Sequence, residues 1–84
     1  MKATFIKELE GFNGEAKMYR LDPQLEGHEL VAVSAVIAMF SGPETYIFPC
    51  DENGVVTDWG ELNGSFRGAL DHEQALTNAG YEIV

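Results

Sequence analysis

The 84-residue sequence has little cysteine and few cations. It contains one cysteine, Cys50, and five lysine or arginine residues against fourteen aspartate or glutamate residues. A single cysteine excludes an intramolecular disulfide, and no group of cysteine and histidine residues has the spacing of a structural zinc site. Stability must therefore come from packing, within the chain or at an oligomer interface.

The shortage of cations gives a formal net charge of −9, most of it in the second half of the chain. Residues 1–40 carry four cations and six acids, whereas residues 41–84 carry eight acids and only Arg67. Such a field repels nucleic acid and anionic membranes, so we expect neither as a partner. It is compatible with a basic protein partner, although solubility alone would also explain it.

Long hydrophobic runs are also missing. The longest, residues 30–40 (LVAVSAVIAMF), is far shorter than the ~20 residues that a membrane-spanning helix needs. The first residues, MKATFIKELEGF, lack the apolar stretch of a signal peptide. We therefore expect a soluble cytoplasmic protein, a setting that also suits the unpaired cysteine.

The apolar content is sufficient for one globular domain spanning residues 1–84, since 45% of the residues are hydrophobic and 11% aromatic. Residues 30–40 are the central core segment. Their β-branched residues favour a strand, while alanine at positions 32, 35 and 38 leaves a helix open. The turn sequence Ser41–Glu44 and the strand-like residues after it favour the strand. An all-apolar strand should be covered on both faces.

Turn sequences divide the rest of the chain into strands. Asn13-Gly14 predicts a hairpin from Lys2–Glu10 into Glu15–Leu21, and Asp22-Pro23 is expected to end its second strand. A three-stranded antiparallel meander is predicted next, with strands at residues 30–40, 45–49 and 55–57.

The C-terminal residues predict one helix and a short last strand. Asp71 is expected to cap the helix, His72 to be exposed in its first turn, and Gly80 to stop it. A strand follows at residues 81–84. The predicted fold class is α+β, with a mostly antiparallel twisted sheet of about five to six strands and the C-terminal helix packed on it.

No pattern of catalytic or cofactor-binding residues is evident. Cys50 precedes Asp51 and Glu52, whose charges oppose formation of a thiolate. His28 and His72 lack the spacing of a metal site, and the glycines at positions 60, 64 and 68 form no phosphate-binding fingerprint. We therefore expect no catalytic residue, metal, cofactor or small-molecule ligand. A metal- or thiol-dependent enzyme would need His28, His72 and Cys50 to converge.

One group of residues is a candidate for protein interaction: Trp59, Phe66 and Arg67, in an irregular, glycine-rich stretch. Tryptophan and arginine are over-represented among binding hot spots. The alternative is structural, because a domain this small needs its aromatic side chains for the core. Arg67 would then pair with an acid between residues 58 and 71.

Several segments together resemble a family of small uncharacterised actinobacteriophage proteins. They are MKATFIKELEGFNGEAKMYRLDP, SGPETYIFP, WGEL followed by GSFRG, and DHEQAL with the AGYE after it. The resemblance covers nearly the whole chain, and the PQLEGHE connection is peculiar to this sequence. It implies a phage genome and expression in the host bacterial cytoplasm, but it implies no activity and no residue role.

Two functions follow as hypotheses. The first is a non-enzymatic phage accessory protein that acts through protein–protein contact, in host interaction or regulation. The second is a homo-oligomeric structural or virion-associated protein, in which another subunit covers the strand at residues 30–40.

Overall fold

The computed structural model describes residues 1–40 and 42–84, which form one six-stranded sheet and a short helix. The elements in chain order are β1 (Lys2–Leu9), β2 (Glu15–Leu25), β3 (His28–Ala38), β4 (Gly42–Pro49), β5 (Phe66–Arg67), α1 (His72–Asn78) and β6 (Glu82–Ile83). Their order across the sheet is β5-β4-β3-β2-β1-β6. Because β6 lies parallel to β1 while the other pairs are antiparallel, the sheet is mixed, and it curls into a half-barrel. The α+β prediction broadly fits.

The first hairpin forms where Asn13-Gly14 predicted it. β1 pairs antiparallel with β2, with one register shift between Phe5 and Lys7. β2 then pairs with β3 and β3 with β4, so β1 to β4 form a continuous antiparallel meander. Of the turn predicted at Ser41–Glu44, Ser41 lies outside the described residues, and Gly42 already belongs to β4.

The prediction that Asp22-Pro23 ends the second strand is wrong. β2 continues to Leu25, which pairs with His28 across a two-residue turn. The ladder shifts register between Arg20 and Leu25, so Pro23 lies where its missing N–H interrupts no regular pairing. The carbonyl oxygen of Pro23 accepts a hydrogen bond from the hydroxyl of Tyr81 at 2.5 Å.

The predicted third strand of the later meander does not form. Val56 makes only an isolated bridge with Cys50. The carboxylate of Asp51 accepts hydrogen bonds from the backbone N–H groups of Asn53 and Val55, at 2.8 and 3.0 Å. These local bonds curl the segment into a turn, and the strand that pairs with β4 on this side is β5.

The helix has the predicted ends but one buried residue that was expected to be exposed. The carboxylate of Asp71 accepts a hydrogen bond from the N–H of Gln74 at 3.0 Å, and Gly80 follows the helix with a φ of +95°. His72 is buried, and its Nε2 lies 2.9 Å from the carbonyl oxygen of Glu15. This contact ties the first helical turn to the start of β2. No helix in the described ranges is long and apolar enough to cross a membrane.

The sheet carries a separate core on each face. The helix covers the larger core, which contains Ala3, Tyr19, Leu21, Leu25, Val31, Val33, Ile47, Leu62, Ala75, Leu76 and Tyr81. On the opposite face, which we call the open face, the packed residues are Met18, Ala32 and Cys50 with Leu9, Phe12, Leu30 and Val56. Residues 31–35 of β3 are buried, so the chain itself supplies cover for both faces of the central strand.

Candidate functional site

The two faces of the sheet separate the three residues that the sequence singled out. In β5, Phe66 pairs with Thr45 and Arg67 pairs with Glu44. Because successive side chains of a strand point to opposite faces, Phe66 and Arg67 diverge. Phe66 packs against the helix-side core, whereas Arg67 lies on the open face. Trp59 lies on the open face as well, so the structure brings two of the three residues to one surface.

Four aromatic rings form a row across the open face. The ring centroids of Phe12 and Trp59 are 6.1 Å apart, those of Trp59 and Phe48 are 5.1 Å apart, and those of Phe48 and Tyr46 are 5.8 Å apart. These separations, with tilted or edge-to-face angles, are typical of favourable aromatic pairs. We call the concave surface that these rings line the aromatic groove.

The aromatic groove has a volume of about 290 Å³ and is open to solvent. Besides the four rings, it is lined by Gly11, Asn13, Ser34 and Val36. Ser34, the one polar residue of the core run, lies at the base of the groove and is buried. The side chain of Trp59 stays 67% exposed. A groove of this size and shape can take one side chain or part of an extended peptide.

Hydrogen bonds on both sides of Trp59 hold it over the open face. The N–H of Thr57 donates to the carbonyl oxygen of Pro49 at 3.0 Å, which ties the segment to the end of β4. The N–H of Gly60 donates to Oδ1 of Asp58 at 2.8 Å, which turns the chain directly after Trp59. The position of the ring is therefore set by the backbone rather than by its own burial.

An ion pair lies at the Tyr46 end of the groove. Arg67 Nε donates a hydrogen bond to Glu44 Oε2 at 2.6 Å. The Glu44 side chain is buried, whereas that of Arg67 is 69% exposed. Hydrogen bonding to Glu44, with burial as a second cause, raises the pKa of the Tyr46 phenol. The acid that pairs with Arg67 is therefore Glu44 and not one between residues 58 and 71. Arg67 keeps a buried carboxylate from being unpaired.

The two histidines lie far apart. His28 pairs with Leu25 at one end of β3, whereas His72 contacts Glu15, which pairs with Ala35 further along the same strand. The seven-residue separation corresponds to about 23 Å in a strand. A site that needs both histidines is not assembled, and the described ranges contain no group of three or more histidine, cysteine or acidic residues that could hold a metal ion.

Cys50 is buried, and its thiol should be unreactive. Burial, followed by the charge of Asp51, raises the pKa of Cys50 from 9.0 to about 11. This rise lowers the thiolate fraction at pH 8 about 100-fold. We expect native protein to react with iodoacetamide about 100-fold more slowly than the urea-unfolded chain at that pH. Mass spectrometry of samples quenched over time measures both rates, and equal rates would contradict the buried placement.

The fold and the site define a small α+β protein with a curled, mixed sheet and a row of aromatic rings on the face opposite its helix. Of these rings, Trp59 is largely exposed and Phe48 is buried. The chain belongs to a family of unknown function, DUF7572, whose model matches residues 1–82. Comparison with curated proteins and with solved structures gave no match. Membership of an uncharacterised family over nearly the whole chain is thus confirmed, whereas a phage origin stays a prediction.

Phe12, Tyr46 and Phe48 were missed as site residues by reasoning from the sequence. Tyr46 and Phe48 could have been found, because residues two apart in a strand share a face. Phe12 gave no such signal, since its position depends on how the turn between β1 and β2 folds against β3. The groove is therefore visible only once the tertiary fold is known.

Proposed function

We propose that the protein is a non-enzymatic accessory protein that acts through protein–protein contact at the aromatic groove. The observation that carries this proposal is the exposure of Trp59, whose ring packs against Phe12 and Phe48 while 67% of the side chain faces solvent. A domain this small normally needs its aromatic side chains for the core. An exposed tryptophan beside a concave apolar surface is typical of a binding hot spot.

The setting that we propose is an actinobacteriophage, with the protein acting in the cytoplasm of the host bacterium. The support is the resemblance of the chain to proteins of such phages. The segments that carry the resemblance include all four rings of the groove, with Phe12 in the first segment, Tyr46 and Phe48 in the second and Trp59 in the third. The net charge of −9 favours a protein target over a nucleic acid.

The Trp59→Ala variant is expected to lose the partner and keep the fold. Because the side chain is mostly exposed, its removal should lower stability by only about 1 kcal/mol, the contribution of its aromatic contacts. Loss of a hot-spot residue typically costs about 2 kcal/mol or more of binding, so the Kd should rise about thirtyfold or more and capture should fall with it. Affinity purification from host lysate at low salt, with mass spectrometry, compares the variant with the unaltered protein.

Phe40→Ala is the matched control for that experiment. Phe40 is an apolar aromatic residue, as Trp59 is, and it is 96% exposed. It does not line the groove. Its replacement should leave capture unchanged. Recovery of no protein above background, or of the same proteins by all variants, would count against contact at the groove.

A second candidate function is a homo-oligomeric structural or virion-associated protein. It is favoured by apolar residues at and directly after the end of β3, where Ile37, Met39 and Phe40 are 70%, 88% and 96% exposed. No charged residue occurs between Glu29 and Glu44. Two copies of this acidic chain would meet there with the least charge repulsion. Because residues 31–35 are already buried within the chain, a second subunit would cover this end of the strand rather than its middle.

Association through this end predicts a mass above 9.2 kDa by light scattering during size-exclusion chromatography at micromolar concentration. Phe40→Asp should restore the monomer mass, because a carboxylate in an apolar contact is strongly unfavourable. Val55→Asp adds the same charge at a different part of the surface, where Val55 is 60% exposed. This variant should leave the mass unchanged. A chain that is monomeric without any substitution would rule out this second function.

A further inference from the structure

The aromatic groove continues into a depression on each side. Phe12 and Trp59 also line a cavity of about 470 Å³ together with residues 7–10 of β1 and its turn. Tyr46 also lines a cavity of about 300 Å³ with residues 65–67 around β5. Because neighbouring depressions share these rings, they form one continuous surface, which we call the trough. It crosses the open face from β1 to β5.

The dimensions of the trough match an extended peptide. It crosses from β1 to β5, which are four strand spacings apart, and neighbouring strands lie about 4.8 Å apart, so its length is about 19 Å. An extended chain rises about 3.3 Å per residue, so about six residues would fill it. The four rings line the depression between the other two, where they would contact side chains of such a peptide.

Carboxylates outnumber free cations along the trough. Glu10 lines one end and Glu61 lines the other. Glu8 lines the same end as Glu10. Arg67 is already bound to a buried carboxylate, so Lys7 is the remaining cation of the lining within the described residues. The surface therefore combines the exposed ring of Trp59 with carboxylates at both ends.

We infer that the trough binds an extended, basic segment of about six residues from a partner protein, with a lysine or arginine side chain lying against Trp59. This inference rests on the proposed function and names the chemistry of its partner. The methylene stem of such a side chain packs on an aromatic face, and the cation is attracted by the ring and by nearby carboxylates. Glu10 and Glu61 would pair with further cations toward the two ends of the segment.

Charge excludes the other large classes of occupant. A second copy of this chain carries nine net negative charges and only five lysine or arginine residues, so it would be repelled from an acidic trough. A nucleic acid would be repelled for the same reason. An acidic or neutral peptide could use the rings but would gain nothing from the carboxylates.

Selection from a displayed library of random hexapeptides tests the inference on the full-length protein. Peptides that bind the immobilised protein are selected from the library. Those that also bind the Trp59→Ala variant are then removed, because they bind elsewhere on the protein. Synthetic copies of the survivors are then titrated while the fluorescence of Trp59, the single tryptophan of the chain, is followed. We expect sequences enriched in lysine and arginine, a saturable shift of Trp59 emission to shorter wavelength, and weaker binding as salt increases.

A pair of matched double variants tests the carboxylates. Glu10→Gln with Glu61→Gln should raise the Kd of a selected basic peptide about three- to tenfold, since each exposed ion pair contributes modestly. Glu73→Gln with Glu82→Gln makes the same charge change at exposed residues outside the trough and should leave the Kd unchanged. Equal effects of the two double variants would overturn a local role of these carboxylates.

The inference and the proposed function fail in different ways. Survivors without net positive charge, or no survivors that depend on Trp59, would overturn the inference of a basic segment. Neither result would bear on the proposed function. That function is tested separately, by comparing the lysate proteins captured by the unaltered protein and by Trp59→Ala. A lysate partner that binds Trp59→Ala normally would overturn both.

Discussion

Replacement of Leu76 by alanine should lower the free energy of unfolding by about 2–5 kcal/mol. Leu76 is fully buried in the helix-side core, where α1 packs on the sheet. With only seven residues, α1 is too short to persist alone and depends on this contact. A chain of 84 residues has a total stability of about 4–13 kcal/mol. The substitution therefore removes a large part of it. Urea unfolding followed by far-ultraviolet circular dichroism measures the change.

Thr77→Ala is the control for Leu76→Ala, because Thr77 is the next residue of the same helix and is exposed. Its replacement should change stability by less than about 0.5 kcal/mol. If the two variants unfolded at the same urea concentration, Leu76 would not anchor the helix to the sheet. That result would contradict the described packing of α1 against the sheet.

Local signals in the sequence predicted the elements whose ends are set by neighbouring residues. Asn13-Gly14 predicted the position of the first hairpin, although residues 10–14 connect its strands as a loop with the positive φ at Gly11. Asp71 and Gly80 gave the ends of the helix, because capping depends on residues within one turn. The positions of these elements could therefore be predicted without knowledge of tertiary contacts.

Other elements depend on contacts between distant residues, and there the sequence misled. Val56 has the β-branched side chain of a strand residue, but the hydrogen bonds of Asp51 curl its segment into a turn. Pro23 is tolerated near the end of β2 because the ladder there is already irregular. His72 is buried because the helix N-terminus meets Glu15, a residue 57 positions away in the chain. Each outcome follows from packing that no local pattern encodes.

The candidate site was predictable only in part for the same reason. Trp59 and Arg67 were singled out by residue type, but the face that each would occupy could not be read from the sequence. Phe66 lies next to Arg67 in the chain and points to the other face, because strand alternation separates them. The groove gains its remaining wall from Phe12, which a turn far away in sequence brings to Trp59.

That turn depends on a close approach at Gly14, and Gly14→Ala should disrupt it. A Cβ atom at this position would lie 2.0 Å from the carbonyl oxygen of Ala35 and 3.0 Å from Cα of Val36, both backbone atoms of β3. Backbone atoms of a central strand cannot move aside cheaply, so we expect a loss of about 3 kcal/mol in the free energy of unfolding. The turn must also shift outward, which moves Phe12 away from Trp59.

Two measurements test Gly14→Ala, and Gly11→Ala in the same turn is the control. Gly11 has a φ of +88°, and no atom of the described residues lies within 4 Å of an added Cβ, so its replacement should cost only backbone strain, about 1 kcal/mol. Urea unfolding gives the two stabilities, and native Trp59 emission reports the contact with Phe12. Only Gly14→Ala should change both strongly. Equal losses of stability in the two variants would mean that backbone strain, and not contact with β3, determines the conformation of the turn. The position of Phe12 in the groove would then not depend on the contact between Gly14 and β3.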